Sequence, residues 1–99
     1  MLDLHNESVD RLFEAILQLK TREECYNFFE DVCTIKEIRD ISQRLHIATL
    51  LDMGLNYQNI SRQADASSAT ISRVNRCLNY GQGGYRTALD RLQAAEVKE

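Results

Sequence analysis

Residues 59–85 read NISRQADASSATISRVNRCLNYGQGGY. Ile60 and Ala64 stand four apart, the spacing of one helix face. Asp65 and Ala66 then break the run. Ser67 follows as a natural helix N-cap, and Ile71, Val74 and Leu78 recur at three- and four-residue intervals. Just upstream, Asn56 caps the shorter helix, which spans Tyr57 to about Ala64. Two short helices joined by a tight turn, the second rich in Ser, Thr and Arg, form the helix-turn-helix pattern. Ser61 is small where such helices cross closely. Asp65 sits where the turn demands a left-handed backbone, which aspartate tolerates better than most residues.

With Ile71, Val74 and Leu78 turned inward, Ser67, Ser68, Ala69, Ser72, Arg73 and Arg76 lie on or near the outward face. Small polar residues at a helix N-terminus let the backbone approach a DNA groove. Their hydroxyls and the free amides of the first turn bind phosphates or base edges. These six, with Gln58, Arg62, Thr70 and Asn79, are the candidate contacts to double-stranded DNA.

The segment Gly81-Gln82-Gly83-Gly84 has neither the spacing nor the preceding strand of a nucleotide-binding loop. It reads as a helix stop. Asn79 and Gly81 are expected to take left-handed conformations that end the second helix. Gly83 and Gly84 then turn the chain into a last helix over about 84–95, carrying Tyr85, Ala88, Leu89 and Leu92. Tyr80 and Tyr85 are expected to pack this turn against the core, with a DNA phosphate contact as the alternative for Tyr80.

Upstream, Val9, Leu12, Phe13 and Ile16 predict a helix over 7–20, opened by Asn6 or Glu7. Thr21 with Glu24, and Thr34 with Glu37, are two capping boxes. The first opens a helix with Cys25, Phe28, Phe29 and Val32 on one face. The second opens a long helix from Ile35 to about Met53, stopped by Gly54. The apolar set of that helix is Ile35, Ile38, Ile41, Leu45, Ile47, Ala48, Leu50 and Leu51, which covers more than one face in the second half. A helix apolar on several sides is buried on several sides. In a 99-residue chain the extra face is expected to meet another subunit, the alternative being the central core helix of a monomer. The chain thus reads as all-α and as one small domain. Residues 7–53 would form a dimerisation core, 57–78 the helix-turn-helix and 84–95 the C-terminal helix.

The formal net charge is −3, which alone argues against a nucleic-acid binder. Its distribution does not. Residues 1–33 hold eight acids and three bases. Residues 54–89 hold four arginines (62, 73, 76 and 86) against the single acid Asp65. The N-terminal stretch lacks the pattern of a secretory signal, and no apolar run approaches bilayer length, which predicts a cytoplasmic protein without a membrane partner. Cys25, Cys33 and Cys77 form no close ligand pair with one another or with His5 and His46. They read as small packed hydrophobes, and no metal is expected. No carboxylate dyad or activated nucleophile appears, so an enzyme is not expected.

The stretch TIKEIRDISQRLHIATLLDMG (34–54), followed by residues 59–85, resembles the Trp repressor superfamily and is closest to its YerC/YecD-type branch. The resemblance covers about residues 30–90. It implies a six-helix chain in an intertwined homodimer, with a reading head at each end, binding palindromic operators and repressing transcription. It also implies a ligand pocket at Thr34, Arg44, Thr70 and Arg73, which match pocket positions of the tryptophan-binding repressor. Val74 stands where that pocket has glycine, and Cys77 where it has a serine. Val74 either fills the slot or points inward within the 71, 74, 78 series. These departures predict that free tryptophan is not the corepressor, and no cofactor is expected. The alternatives are a regulator responding to a different metabolite, the effector being unknown, or a helical protein-interaction module that does not bind DNA.

Overall fold

The computed structural model describes residues 4–97. Those residues form six α-helices: α1 (Glu7–Leu17), α2 (Arg22–Val32), α3 (Ile35–Asp52), α4 (Tyr57–Ala64), α5 (Ser68–Tyr80) and α6 (Gly84–Val97). By their contacts they divide into two compact units, the described residues up to 38 and those from 39 onward.

In the first unit each helix start is written in side chains. Asn6 is the N-cap of α1, its side-chain oxygen accepting from the Val9 amide at 3.0 Å. The helix stops at Leu17 rather than near Lys20. There the amides of Gln18 and Leu19 donate to the Ala15 and Ile16 carbonyls, both at 3.1 Å, a tightening of the last turn that ends the α-helix. Thr21 caps α2 by accepting from the Glu24 amide at 3.0 Å. The returning Glu24 carboxylate reaches the Lys20 amide at 2.7 Å, one residue before the cap. The Thr34 box is reciprocal. The Glu37 amide donates to the Thr34 hydroxyl at 3.1 Å, and the Thr34 amide to the Glu37 carboxylate at 2.8 Å. That amide holds the Glu37 carboxyl below the usual carboxylate range. No residue of α1 or α2 is buried. Leu12, Phe13, Leu17, Tyr26, Val32 and Ile35 are all exposed, Leu17 at 79%.

The second unit has a core. Ile47, Ala48 and Leu50 of α3, Ile60 of α4, Ile71 and Val74 of α5 and Leu89 of α6 are buried together. Leu51, Leu55, Ala64, Ala66, Leu78 and Tyr85 pack around them. The exit from α3 is a Schellman turn. The Gly54 amide donates to Leu51 and the Leu55 amide to Leu50, at 3.0 and 3.2 Å, with Gly54 at φ 87°. The end of α6 lies beyond the expected Ala95, at Val97.

Candidate nucleic-acid interface

The turn between α4 and α5 fixes how α5 is presented. Asn56 caps α4 by accepting from the Asn59 amide at 2.9 Å. Asp65 ends it at φ 50° and ψ 53°, and it is the positive-φ residue other than glycine among those described. The left-handed residue expected from the sequence is therefore in place. A left-handed L-residue costs roughly 1–2 kcal/mol, so the surroundings must hold it. They do so with three bonds. The Ser61 hydroxyl donates to the Ala66 carbonyl at 2.6 Å. The Gln43 side chain of α3 donates to the Ala64 and Asp65 carbonyls at 3.1 and 3.0 Å. Ser61 thus does more than make room: it closes the turn. Gln43 was not singled out in the sequence, since an isolated glutamine on a long helix carries no local signal of a partner 21 residues away.

Ser67 caps α5, accepting from the Thr70 amide at 3.2 Å, with its hydroxyl 3.1 Å from that of Thr70. The first turn of α5 has no acidic residue. Ile71 and Val74 are buried, and Leu78 is half-buried. At about 100° per residue, Ala69, Arg73, Arg76 and Tyr80 fall within roughly 60° of one another, opposite that buried face. All four are exposed. Ser68 and Ser72, also exposed, flank the strip. Arg62 of α4 is exposed as well, as is Gln58. Among the described residues, Arg62, Arg73 and Arg76 make no ion pair. Asn79 is exposed, but its amide nitrogen already donates to the Asn75 carbonyl and side-chain oxygens, both at 2.9 Å.

Two details differ from the sequence reading, and a third decides between alternatives it left open. First, Asn79 stays helical, and Gly81 ends α5 at φ −83°, not left-handed. The positive-φ residue of this turn is Gly83, at 83°. Gly81 is needed for closeness instead. A Cβ there would collide with the Cys77 carbonyl oxygen, to which the Gly81 amide donates at 2.9 Å. Second, Tyr80 does not pack on the core. It is 87% exposed, because residue 80 lies opposite Ile71 and Val74, whereas Tyr85 is half-buried against the core. Third, of its two possible orientations Val74 takes the inward one, in the core with Ile47, Ile60 and Ile71.

The other pocket candidates are divided between the two units. Thr34 belongs to the first unit, where its hydroxyl and amide are used in the α3 cap. Arg44, Arg73 and Cys77 are exposed, and Thr70 is half-buried. Cys77 borders an open depression of about 410 Å³ shared with Gly81, Gln82, Gly84, Tyr85 and Ala88, none of them charged.

A second group of residues braces the C-terminal helix. Arg86 donates to Asp52 of α3 at 2.6 Å and to Asp90 at 3.1 Å, and Gln93 donates to Asp52 at 3.3 Å. The Arg86 guanidinium holds the Asp52 carboxyl below its ordinary range. Of the four arginines in the basic stretch, this one is engaged within the fold, which charge counting alone could not show.

No group of three or more His, Cys, Asp or Glu residues among those described could hold a metal ion. No described helix is long and apolar enough to cross a membrane.

Comparison with known proteins fits this all-helical architecture. The family profile for Trp repressor protein matches residues 7–93. A Bacillus subtilis (strain 168) protein named "Uncharacterized protein YerC" is 50% identical over 95 residues, 96% of this chain and 91% of its own length. A solved TrpR-like protein from Eubacterium eligens ATCC 27750 is 51% identical with a TM-score of 0.88, the match covering 91% of this chain and 93% of that one. A solved Staphylococcus aureus structure is 48% identical with a TM-score of 0.87, covering 91% and 90%. The protein is thus an all-α member of a family of non-catalytic DNA-binding regulators. The chain belongs to the Trp repressor family, in its YerC-type branch.

Proposed function

We propose that this chain is a sequence-specific transcriptional regulator, a repressor, that binds a palindromic operator as a homodimer. In this reading α4 and α5 are its helix-turn-helix, and α5 enters the major groove. The observation that carries it is the outward strip of α5. Arg73 and Arg76 stand exposed and without an ion pair among the described residues, opposite the buried Ile71 and Val74, behind a serine-capped N-terminus free of acids. An uncommitted guanidinium keeps its donors for phosphate or for guanine edges. Ser67, Ser68, Ala69, Thr70 and Ser72 present small groups and N-terminal amides to the groove floor, with Gln58 and Arg62 of α4 on the flank.

The dimer is supported by the exposed apolar residues of α1, α2 and the start of α3. A soluble chain rarely leaves Phe13, Leu17, Tyr26, Val32 and Ile35 all in water. A second copy that covered them would also supply a second reading head, giving two half-sites about 34 Å apart. We place this activity in the cytoplasm.

We further propose that DNA binding does not depend on free tryptophan. Cys77 stands where the tryptophan-binding repressor has a serine, and a thiol is a weak hydrogen-bond partner for the ligand's ammonium. A hydrogen bond to such a charged group is worth about 1.5–3 kcal/mol, so its lack is felt.

The test is fluorescence anisotropy of labelled duplex DNA across a salt series, with sedimentation of the free protein. Binding should weaken linearly in log salt, by about 0.9 per neutralised phosphate, and the free protein should sediment as a dimer. A monomer with no duplex affinity at low salt would leave the interaction-module reading in its place.

A further inference from the structure

Tyr80 is the most exposed of the large hydrophobic residues described, at 87%. Its hydroxyl has no partner among the described residues. It continues the Ala69, Arg73, Arg76 strip by one further turn. The chain elsewhere shows that it can cover a tyrosine, since Tyr85, five residues on, packs against the core. Asn79, the other polar side chain of that last turn, has its amide nitrogen committed to Asn75. Tyr80 is therefore the uncommitted donor at the C-terminal end of α5.

Length fixes what that donor faces. α5 has 13 residues, so at 1.5 Å each it is about 20 Å long. The major groove is only about 8.5 Å deep, and the N-terminal residues of a reading helix are the ones that reach base edges. With the Ser67–Ser72 end among the bases, the last turn lies beyond the groove mouth, alongside the sugar–phosphate backbone. The C-terminal end of a helix carries partial negative charge. A phosphate there is best approached by a donor on a long arm, and a phenol supplies one without needing a counter-charge.

We propose that Tyr80 is a DNA-backbone contact, its hydroxyl donating to a phosphate oxygen at the edge of the groove that α5 enters. Its work is positioning. It limits how far the helix rolls or slides and reads no base. The proposal rests on α5 being the reading helix.

The two kinds of contact leave different signatures. A neutral donor releases no condensed counterion, whereas an arginine on a phosphate does. The experiment is anisotropy with the full-length protein and an arbitrary duplex of about 30 base pairs, long enough for two half-sites. It compares wild type, Tyr80→Phe, Tyr80→Ala and Arg76→Ala over a salt series. Tyr80→Phe is expected to raise Kd about 3–10-fold at every salt concentration, with an unchanged slope. Arg76→Ala is expected to lower the slope by about 1.

Binding by Tyr80→Phe equal to wild type would overturn the proposal. So would a loss seen only in Tyr80→Ala, which would assign the contact to the ring. A fall in assembly mass or Tm in Tyr80→Ala, with Tyr80→Phe binding normally, would show that protein covers the ring, and would overturn it too. If wild type binds and Arg76→Ala behaves as expected while Tyr80→Phe is silent, only the Tyr80 contact falls. If wild type binds no duplex, the reading of α5 falls and this inference with it.

Discussion

The two compact units differ in what they bury. In residues 39–97 seven apolar side chains from four helices close on one another, and the arginines opposite them are left exposed. In residues 4–38 nothing is buried, although α1 and α2 are as well capped as any helix in the chain. Good caps contribute about 1 kcal/mol each, and isolated helices of 11 residues are marginal in water. Capping can start α1 and α2, but burial must come from elsewhere. The contrast assigns the two regions different work. The second unit presents α5 from a core of its own, and the first carries the exposed apolar surface that the proposed dimer would cover.

The harshest challenge to that contrast is a cavity in the core of the second unit. Ile71→Ala removes a fully buried side chain beneath the outward strip. It should cost about 2–5 kcal/mol in denaturant unfolding. DNA affinity should fall with it, since the strip would lose its backing. A cost below about 1 kcal/mol would mean that the second unit lacks the tight core described.

A smaller but more discriminating effect is expected from Phe13→Ser with Leu17→Ser. Both residues are more than half exposed in the chain. Substitutions on a free surface stay within about 0.5 kcal/mol. If a second copy covers them, the dimer dissociation constant should rise at least about tenfold, and Tm should depend on protein concentration more steeply than in wild type. Sedimentation at two concentrations checks this. An unchanged dimer would erase the functional difference between the units.

The smallest effect concerns acid. Asp52 titrates below its unfolded value because Arg86 donates to it. Its contribution is complete above the unfolded value and is lost as pH falls through the folded one, so it disappears in acid below about pH 4. Asp52→Asn should therefore flatten the acid limb of the Tm profile and leave stability near pH 7 only slightly lower, as expected for a partly exposed pair. An unaltered acid limb would remove the Asp52–Arg86 brace from the account.

Much of this was legible in the sequence because the determinants are local. Capping boxes work over three residues, and Thr21, Thr34, Asn56 and Ser67 all start the helices expected of them. The left-handed turn at Asp65 followed from one residue's tolerance of one backbone region. What escaped depended on partners distant in the chain. Gln43 reaches the turn across 21 residues, and Arg86 reaches Asp52 across 34. The end of α5 was misplaced for a related reason. Asn79 can cap a helix, but here its side chain bonds back one turn to Asn75 and the helix continues. Gly81 looked like a conformational requirement and proved to be a spatial one. Periodicity left both orientations of Val74 open, and packing decided it.

In the proposed function two copies of α5 read two related half-sites. Selection of bound sequences from random duplex DNA by the full-length protein addresses it most directly, because dimerisation, groove reading and spacing all enter one result. The expected result is an inverted repeat with half-sites about one helical turn, roughly 10–10.5 base pairs, apart centre to centre. That repeat should be lost when Ser68 and Ser72 are replaced and retained at weaker affinity in Arg76→Ala. No enrichment, or enrichment of a single unrepeated element, would contradict it.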